Sequence, residues 1–293
     1  MALFSFLTPV FAAVICVLLV AILQSMKKSR EKGTEDKDRK KESQPWVDQD
    51  LQDNTDLPTE EDGENDWQDP DEGSIEHITF SPVRYSEEEM VRRSKEFYEL
   101  LNQRRSVRFI SGKPVPRQVI NNIIRSAGTS PSGAHTEPWT FVVVENPEVK
   151  HKIREIIEEE EEINYRKRMG DTWVHDLKKL RTNWVKEYLD TAPFLILIFK
   201  QVYGILSSNK KKTHYYNEIS VSIACGILLA AIQNAGLVTV TTTPLNCGPR
   251  LRVLLERPVN EKLLMLLPVG YPSQDATVPD LQRKPLEDIM VVV

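Results

Sequence analysis

The sequence predicts an α+β fold on three observations. Apolar residues recur at helical spacing in several runs, among them Val119, Ile120, Ile123, Ile124 and Ala127. Between those runs lie four short strand-like stretches, 139–144, 194–199, 238–242 and 263–269, most of them continuous apolar runs. Continuous apolar runs of that length suit strands buried on both faces. Helices and strands are mixed along the chain with no internal repeat, so one layered domain is expected.

The elements follow in order. Leu3 to Leu23 carry no charged side chain, close to the roughly 20 residues that cross a hydrocarbon core as a helix. Residues 1–24 therefore read as a transmembrane anchor. A cleaved signal peptide would need a basic start and a small-residue cleavage site, and neither is present. Lys27, Lys28, Arg30 and Lys32 follow the anchor and nothing basic precedes it, so the domain beyond should face the cytosol; the same charges do not choose between a plasma and a vesicle membrane. Residues 25–76 are dominated by Lys, Glu, Asp, Gln and Ser, a composition that favours a disordered tether. Trp46 and Trp67 read as isolated aromatics within it. The domain proper, 77–293, opens with a helix capped at Ser86, where Glu89 completes a capping box and Met90, Phe97 and Leu101 recur at helical spacing. A second helix starts at Pro116 and stops at Gly128, before a turn-rich loop from Thr129 to Pro138. The stretch 147–190 is charged, with Glu158 to Glu162 in a row, and reads as two helices broken at Gly170-Asp171. Trp173, Trp184 and Tyr188 are too many large aromatics for a solvated face, so one side of this lid should close over something. Tyr215 to Ala235 form a further helix with small residues for close packing. Ile289 to Val293 are apolar for a terminus and should pair with a sheet, their own or a partner subunit's.

Composition excludes several classes of function. The net charge is −5 with no basic stripe, which argues against nucleic acid. Cys16, Cys225 and Cys247 have no metal-ligand spacing, and the five histidines are scattered, so no metal site and no disulfide framework is expected. No G-x-G-x-x-G follows a strand and no P-loop is present. No nucleophile elbow or acid-base dyad stands out either, so an enzyme of this sequence would leave the hard chemistry to a cofactor.

One feature is compatible with such a cofactor. Arg104, Arg105 and Arg108, with Ser106 and Val107 between them, follow the first helix directly. Taken alone, the pentapeptide is most often a solvated basic turn. Guanidinium forks, however, match phosphate oxygens. With Ser130-Pro131-Ser132-Gly133-Ala134-His135, Thr241-Thr242-Thr243 and Arg283-Lys284-Pro285, the cluster looks like the parts of a flavin mononucleotide (FMN) site.

On the Arg104 to Arg108 cluster, Pro131 to Trp139, Glu158 to Tyr165, Asn183 to Tyr188, Thr239 to Pro249 and Arg283 to Pro285, the chain resembles the nitroreductase-like flavoprotein superfamily. Within it, the chain is similar to the branch that removes iodide from iodotyrosines. The resemblance covers the anchor and residues 86–293. It implies a central mixed sheet flanked by helices, an intertwined homodimer with two interfacial sites, and noncovalent FMN in each. By the same resemblance Arg104, Arg105, Ser106, Val107, Arg108, Pro131, Ser132, Thr241, Thr242, Thr243 and Arg283 hold FMN. Thr243 bonds the reactive flavin nitrogen N5, and Glu161, Tyr165 and Lys186 clamp the amino-acid part of a halotyrosine. The Ala134 amide faces the phenolate. Electrons come ultimately from NADPH, by way of a separate reductase where the flavin does not take them directly. A general nitro or quinone reductase would keep the flavin residues and lack the clamp. A membrane-tethered flavin-binding protein without turnover is the reading from another class.

Overall fold

The structure, a computed structural model, describes residues 75–206 and 210–293. The anchor, nearly all of the tether, Cys16, Trp46 and Trp67 lie outside the described residues.

Four strands make the central sheet: β1 (Trp139–Val144), β2 (Phe194–Gln201), β5 (Val238–Thr239) and β6 (Glu261–Gly270), in the order β1-β2-β6-β5. Its ladders are antiparallel. A parallel bridge from Ser106 to Thr239 at the β5 edge makes the sheet mixed. Strand β2 shows why the apolar runs are continuous. Leu195, Leu197 and Phe199 enter one buried cluster, whereas Phe194, Ile196 and Ile198 enter another on the opposite face, as the two-residue period of a strand requires. Each such side chain contributes about 1.5–3 kcal/mol by burial.

Helices cover both faces. Helix α1 (Glu87–Asn102) begins as expected, with the Ser86 hydroxyl accepting from Glu89 N–H at 3.3 Å. Helix α2 (Arg117–Gly128) is entered through Pro116 and buries Ile120, Ile123 and Ala127. Helix α3 (Pro147–Ile163) is capped by Asn146, whose side chain accepts from two backbone amides. A π-helical segment, Asn164–Arg168, links it to α4 (Gly170–Lys179). Gly170 takes φ +74°, a value that glycine adopts without the Cβ penalty, and the break falls there as the sequence predicts. After the short α5 (Tyr188–Thr191) and β2, a hairpin of β3 (Tyr203–Ile205) and β4 (Lys211–Thr213) leads to α6 (Asn217–Asn234). Helix α7 (Gly248–Leu254) precedes β6. Both described cysteines, Cys225 and Cys247, are reduced and buried.

Three expectations need correction. The run 238–242 is a strand only over its first two residues, and pairing resumes at a bridge between Thr242 and Leu266. The hairpin and α7 have no strong periodic signal and are not anticipated. The end, Ile289 to Val293, forms no strand and is exposed throughout; among the described residues it pairs with no sheet of its own chain, which leaves the partner subunit's sheet as the expectation.

Apolar surface is left over. Helix α1 buries no residue, and Met90, Val91, Phe97 and Tyr98 are all more than half exposed. Helix α6 is apolar all round: Val221, Ala224, Cys225, Leu228 and Ile232 are buried, while Ile219 and Ile223 face outward. A helix apolar on every side is ordinarily buried, and these outward-facing residues leave part of it uncovered within the described residues.

Candidate active site

The end of α1 delivers the arginine cluster to the edge of the sheet. Val107 is buried, and its N–H donates to the Thr239 carbonyl at 3.0 Å, so this residue fixes the segment through packing and backbone. Arg104 and Arg108 on either side are half-buried, and Ser106 is exposed. Arg105 is partly spent on its own helix end, donating to the Asn102 and Arg104 carbonyls at 2.6 and 3.0 Å. From the distant C-terminal segment, Arg283 donates to the Arg104 carbonyl at 2.9 Å. Burial, followed by the like charges of Arg283 and Arg105, lowers the Arg104 pKa. A group of guanidiniums pressed together in this way needs an anion. Arg104, Arg105, Ser106, Arg108 and Arg283 line one cavity of about 950 Å³. This donor set fits a phosphoester with a bulky organic group attached.

Arg108 also borders a second cavity of about 230 Å³, roofed by the lid and floored by Thr241, Thr242 and Thr243. The three threonines alternate as extended backbone should. Thr241 and Thr243 are exposed, whereas Thr242 turns inward and its hydroxyl donates to the Leu266 carbonyl at 2.9 Å. Glu161, Tyr165 and Lys186 meet on the lid side of this cavity. Lys186 Nζ lies 3.8 Å from Glu161 Oε2, both side chains being one-tenth exposed. The same ammonium stands 5.7 Å from the centre of the Tyr165 ring, which Trp184 meets edge-on. Burial raises the Glu161 pKa against the pull of Lys186. Burial likewise lowers that of Lys186 against the pull of Glu161. Both groups are thus pressed toward neutrality by desolvation and kept charged by each other. Tyr165 is pushed up to about 12, by burial first and Glu161 second. Tyr165 lies in the π-helical segment Asn164–Arg168, a feature frequent at functional sites. Trp173, one of the aromatics the sequence marks as facing something, and Met169 and Thr182, which it does not single out, complete the lid wall.

The Ser130 to His135 loop is elsewhere. Gly133 N–H donates to the Ser220 hydroxyl near the start of α6, at 3.4 Å. The arginine cluster lies by the other end of that helix, where Gln233 donates to the Leu100 carbonyl at 3.3 Å. At ~1.5 Å per residue the two points are separated by about 20 Å along the helix. Pro131, Ser132 and Ala134 therefore do not reach the arginines of their own chain. The loop is nonetheless built with strain: Ala134, His135 and Glu137 all have positive φ, a conformation that clusters at ligand-binding segments. Ser132 Oγ accepts from Glu137 N–H at 3.0 Å and holds it shut.

Comparison with known proteins identifies the family. The Nitroreductase family profile matches residues 101–271. The chain is 69% identical to iodotyrosine deiodinase 1 of Homo sapiens over 98% of its own length and 99% of the relative's. It is 67% identical to the iodotyrosine deiodinase of Danio rerio over the whole of both. Among solved structures, an oxidized iodotyrosine deiodinase bound to FMN and 3-iodo-L-tyrosine matches at 30% identity with a TM-score of 0.57, covering 67% of this chain and 97% of the other.

Proposed function

Since the chain belongs to the nitroreductase family and, by its identity to them, to the iodotyrosine deiodinases, we propose that it removes iodide reductively from mono- and diiodotyrosine, using FMN. The observation that carries this reading is the buried Glu161 and Lys186 pair beside Tyr165, set over Thr241 to Thr243. An amino acid presents one ammonium and one carboxylate on the same carbon. Each member of the pair can exchange its partner for the matching group of the substrate, so neither charge is left unpaired when the lid closes. Tyr165 and Trp184 then cover the ligand and exclude water.

Arg104, Arg105, Ser106, Arg108 and Arg283 would hold the FMN phosphate and ribityl chain, and Thr243 would face flavin N5. Reduced FMN supplies two electrons; with one proton these replace the carbon–iodine bond by carbon–hydrogen and release iodide. NADPH would be the ultimate donor, directly or through a separate reductase. The cofactor-side residues Pro131 and Ser132, and the Ala134 amide for the phenolate, come from a second copy in a homodimer. In support, the loop lies remote from its own arginines, and α1, α6 and the end Ile289 to Val293 expose apolar surface. The uncharged run at the N-terminus anchors the chain to a membrane, with the domain on the cytosolic side.

The test is anaerobic. Protein loaded with FMN and reduced chemically is mixed with diiodotyrosine, and flavin absorbance and free iodide are followed. Return of the oxidised bands with matching iodide is expected. Reoxidation by nitroarenes or quinones with no iodide from diiodotyrosine would assign a general reductase instead.

A further inference from the structure

Three side chains on one stripe of α3, Lys150, Arg154 and Glu158, are spaced four residues apart and so share a face. All three hold the same stretch of chain, 186–192. Lys150, itself buried, donates from Nζ to the Asp190 and Ala192 carbonyls at 3.0 and 2.7 Å. Arg154 Nη1 donates to the Asp190 carboxylate at 2.8 Å, and its Nε donates to Glu158 Oε1 at 2.7 Å. That Glu158 oxygen accepts the backbone N–H of Lys186 at 2.6 Å. A fixed rail therefore ends at the residue whose ammonium faces Glu161, and Glu161 lies three residues beyond Glu158 on the same helix. Glu158 does not border the cavity that Glu161 and Lys186 line.

We infer that Glu158, oriented by Arg154, is a positioning residue: it sets the Lys186 backbone so that the ammonium stands opposite Glu161 at the spacing a zwitterion needs. The inference rests on the functional reading above and deepens it. A rail of this kind acts on the amino-acid end of the substrate and leaves the ring and the flavin alone. Removing the Glu158 acceptor frees Lys186 to drift, and a drift of about 1 Å is enough to lose much of the benefit of a charged pair in correct geometry.

The experiment uses the FMN-loaded protein and two ligands, 3-iodotyrosine and 2-iodophenol, with dissociation constants read from flavin fluorescence. Glu158→Ala should weaken 3-iodotyrosine at least tenfold and leave both 2-iodophenol and FMN unchanged. Glu158→Gln keeps an oxygen that can accept the Lys186 N–H, and should recover most of the affinity. In a Lys186→Gln background, Glu158→Ala should add less than twofold. Wild-type affinity for 3-iodotyrosine in Glu158→Ala, or equal weakening of both ligands, overturns the positioning role while the functional reading stands. Failure of the wild-type protein itself to bind 3-iodotyrosine overturns both.

Discussion

At the residue scale, the arginine cluster and the lid pair do different work and should fail differently. Arg104→Ala or Arg108→Ala removes charge-assisted bonds worth about 1.5–3 kcal/mol each. FMN retention should fall by at least tenfold while the thermal transition of the flavin-free protein barely moves, as flavin titration and a melting curve would show. Glu161 and Lys186 should show the reverse. Lys186→Gln alone leaves a buried carboxylate without its cation, at a cost of about 3–5 kcal/mol, whereas Glu161→Gln with Lys186→Met removes both desolvated charges and should be neutral or stabilising. A double variant that melts lower than Lys186→Gln would contradict this. The sign with pH follows from the directions of the shifts. Glu161 has a raised pKa in the fold, so its contribution to stability is present at low pH and lost as pH rises through that value. Lys186 has a lowered pKa, so its contribution is present at high pH and lost as pH falls through that value. In the proposed clamp, substrate affinity needs both charges. Its plateau against pH should therefore be narrower than the span between an ordinary carboxylate and an ordinary ammonium, and Glu161→Gln should erase the acidic edge.

At the element scale, local patterns were legible where one element decides its own form. The Ser86 cap, the Pro116 entry, the Gly170 break and the apolar strands all follow from residues within a few positions of one another. Ser86→Ala should cost about 1 kcal/mol of helix stability, seen as faster amide exchange in the first turn of α1. The run 238–242 reads as one strand because β-branched residues continue past Thr239, whereas regular pairing stops there and resumes only at the Thr242–Leu266 bridge, a matter settled by β6 across the sheet. The partnership of Glu161 and Lys186 was beyond spacing rules, since it depends on how 186–192 lies against α3; only resemblance selected Lys186 among its neighbours. The rail on that helix did have a signal, the recurrence of Lys150, Arg154 and Glu158 every four residues, but an exposed charged stripe looks identical in sequence.

At the scale of the whole molecule, the unspent apolar faces of α1 and α6 give the proposed dimer its test. Phe97→Asp should shift the protein to monomer in ultracentrifugation and lose FMN with it. Deleting residues 1–76 should yield a flavin-loaded dimer with nearly unchanged turnover, read by iodide release. The remoteness of the Ser130 to His135 loop from its own arginines has a genetic consequence. Arg104→Ala damages one half of the site. Gly133→Val damages the other, because a Cβ there would lie 2.6 Å from the Tyr215 carbonyl oxygen and force the loop to move. In the proposed homodimer each change alone breaks both sites. Two inactive parents that exchange subunits at random would form mixed pairs half of the time, and each mixed pair carries one doubly broken site and one wholly intact one. Complementation to about a quarter of wild-type activity is the ceiling that two-fold symmetry sets. Placing both changes on a single chain and mixing it with itself should restore nothing.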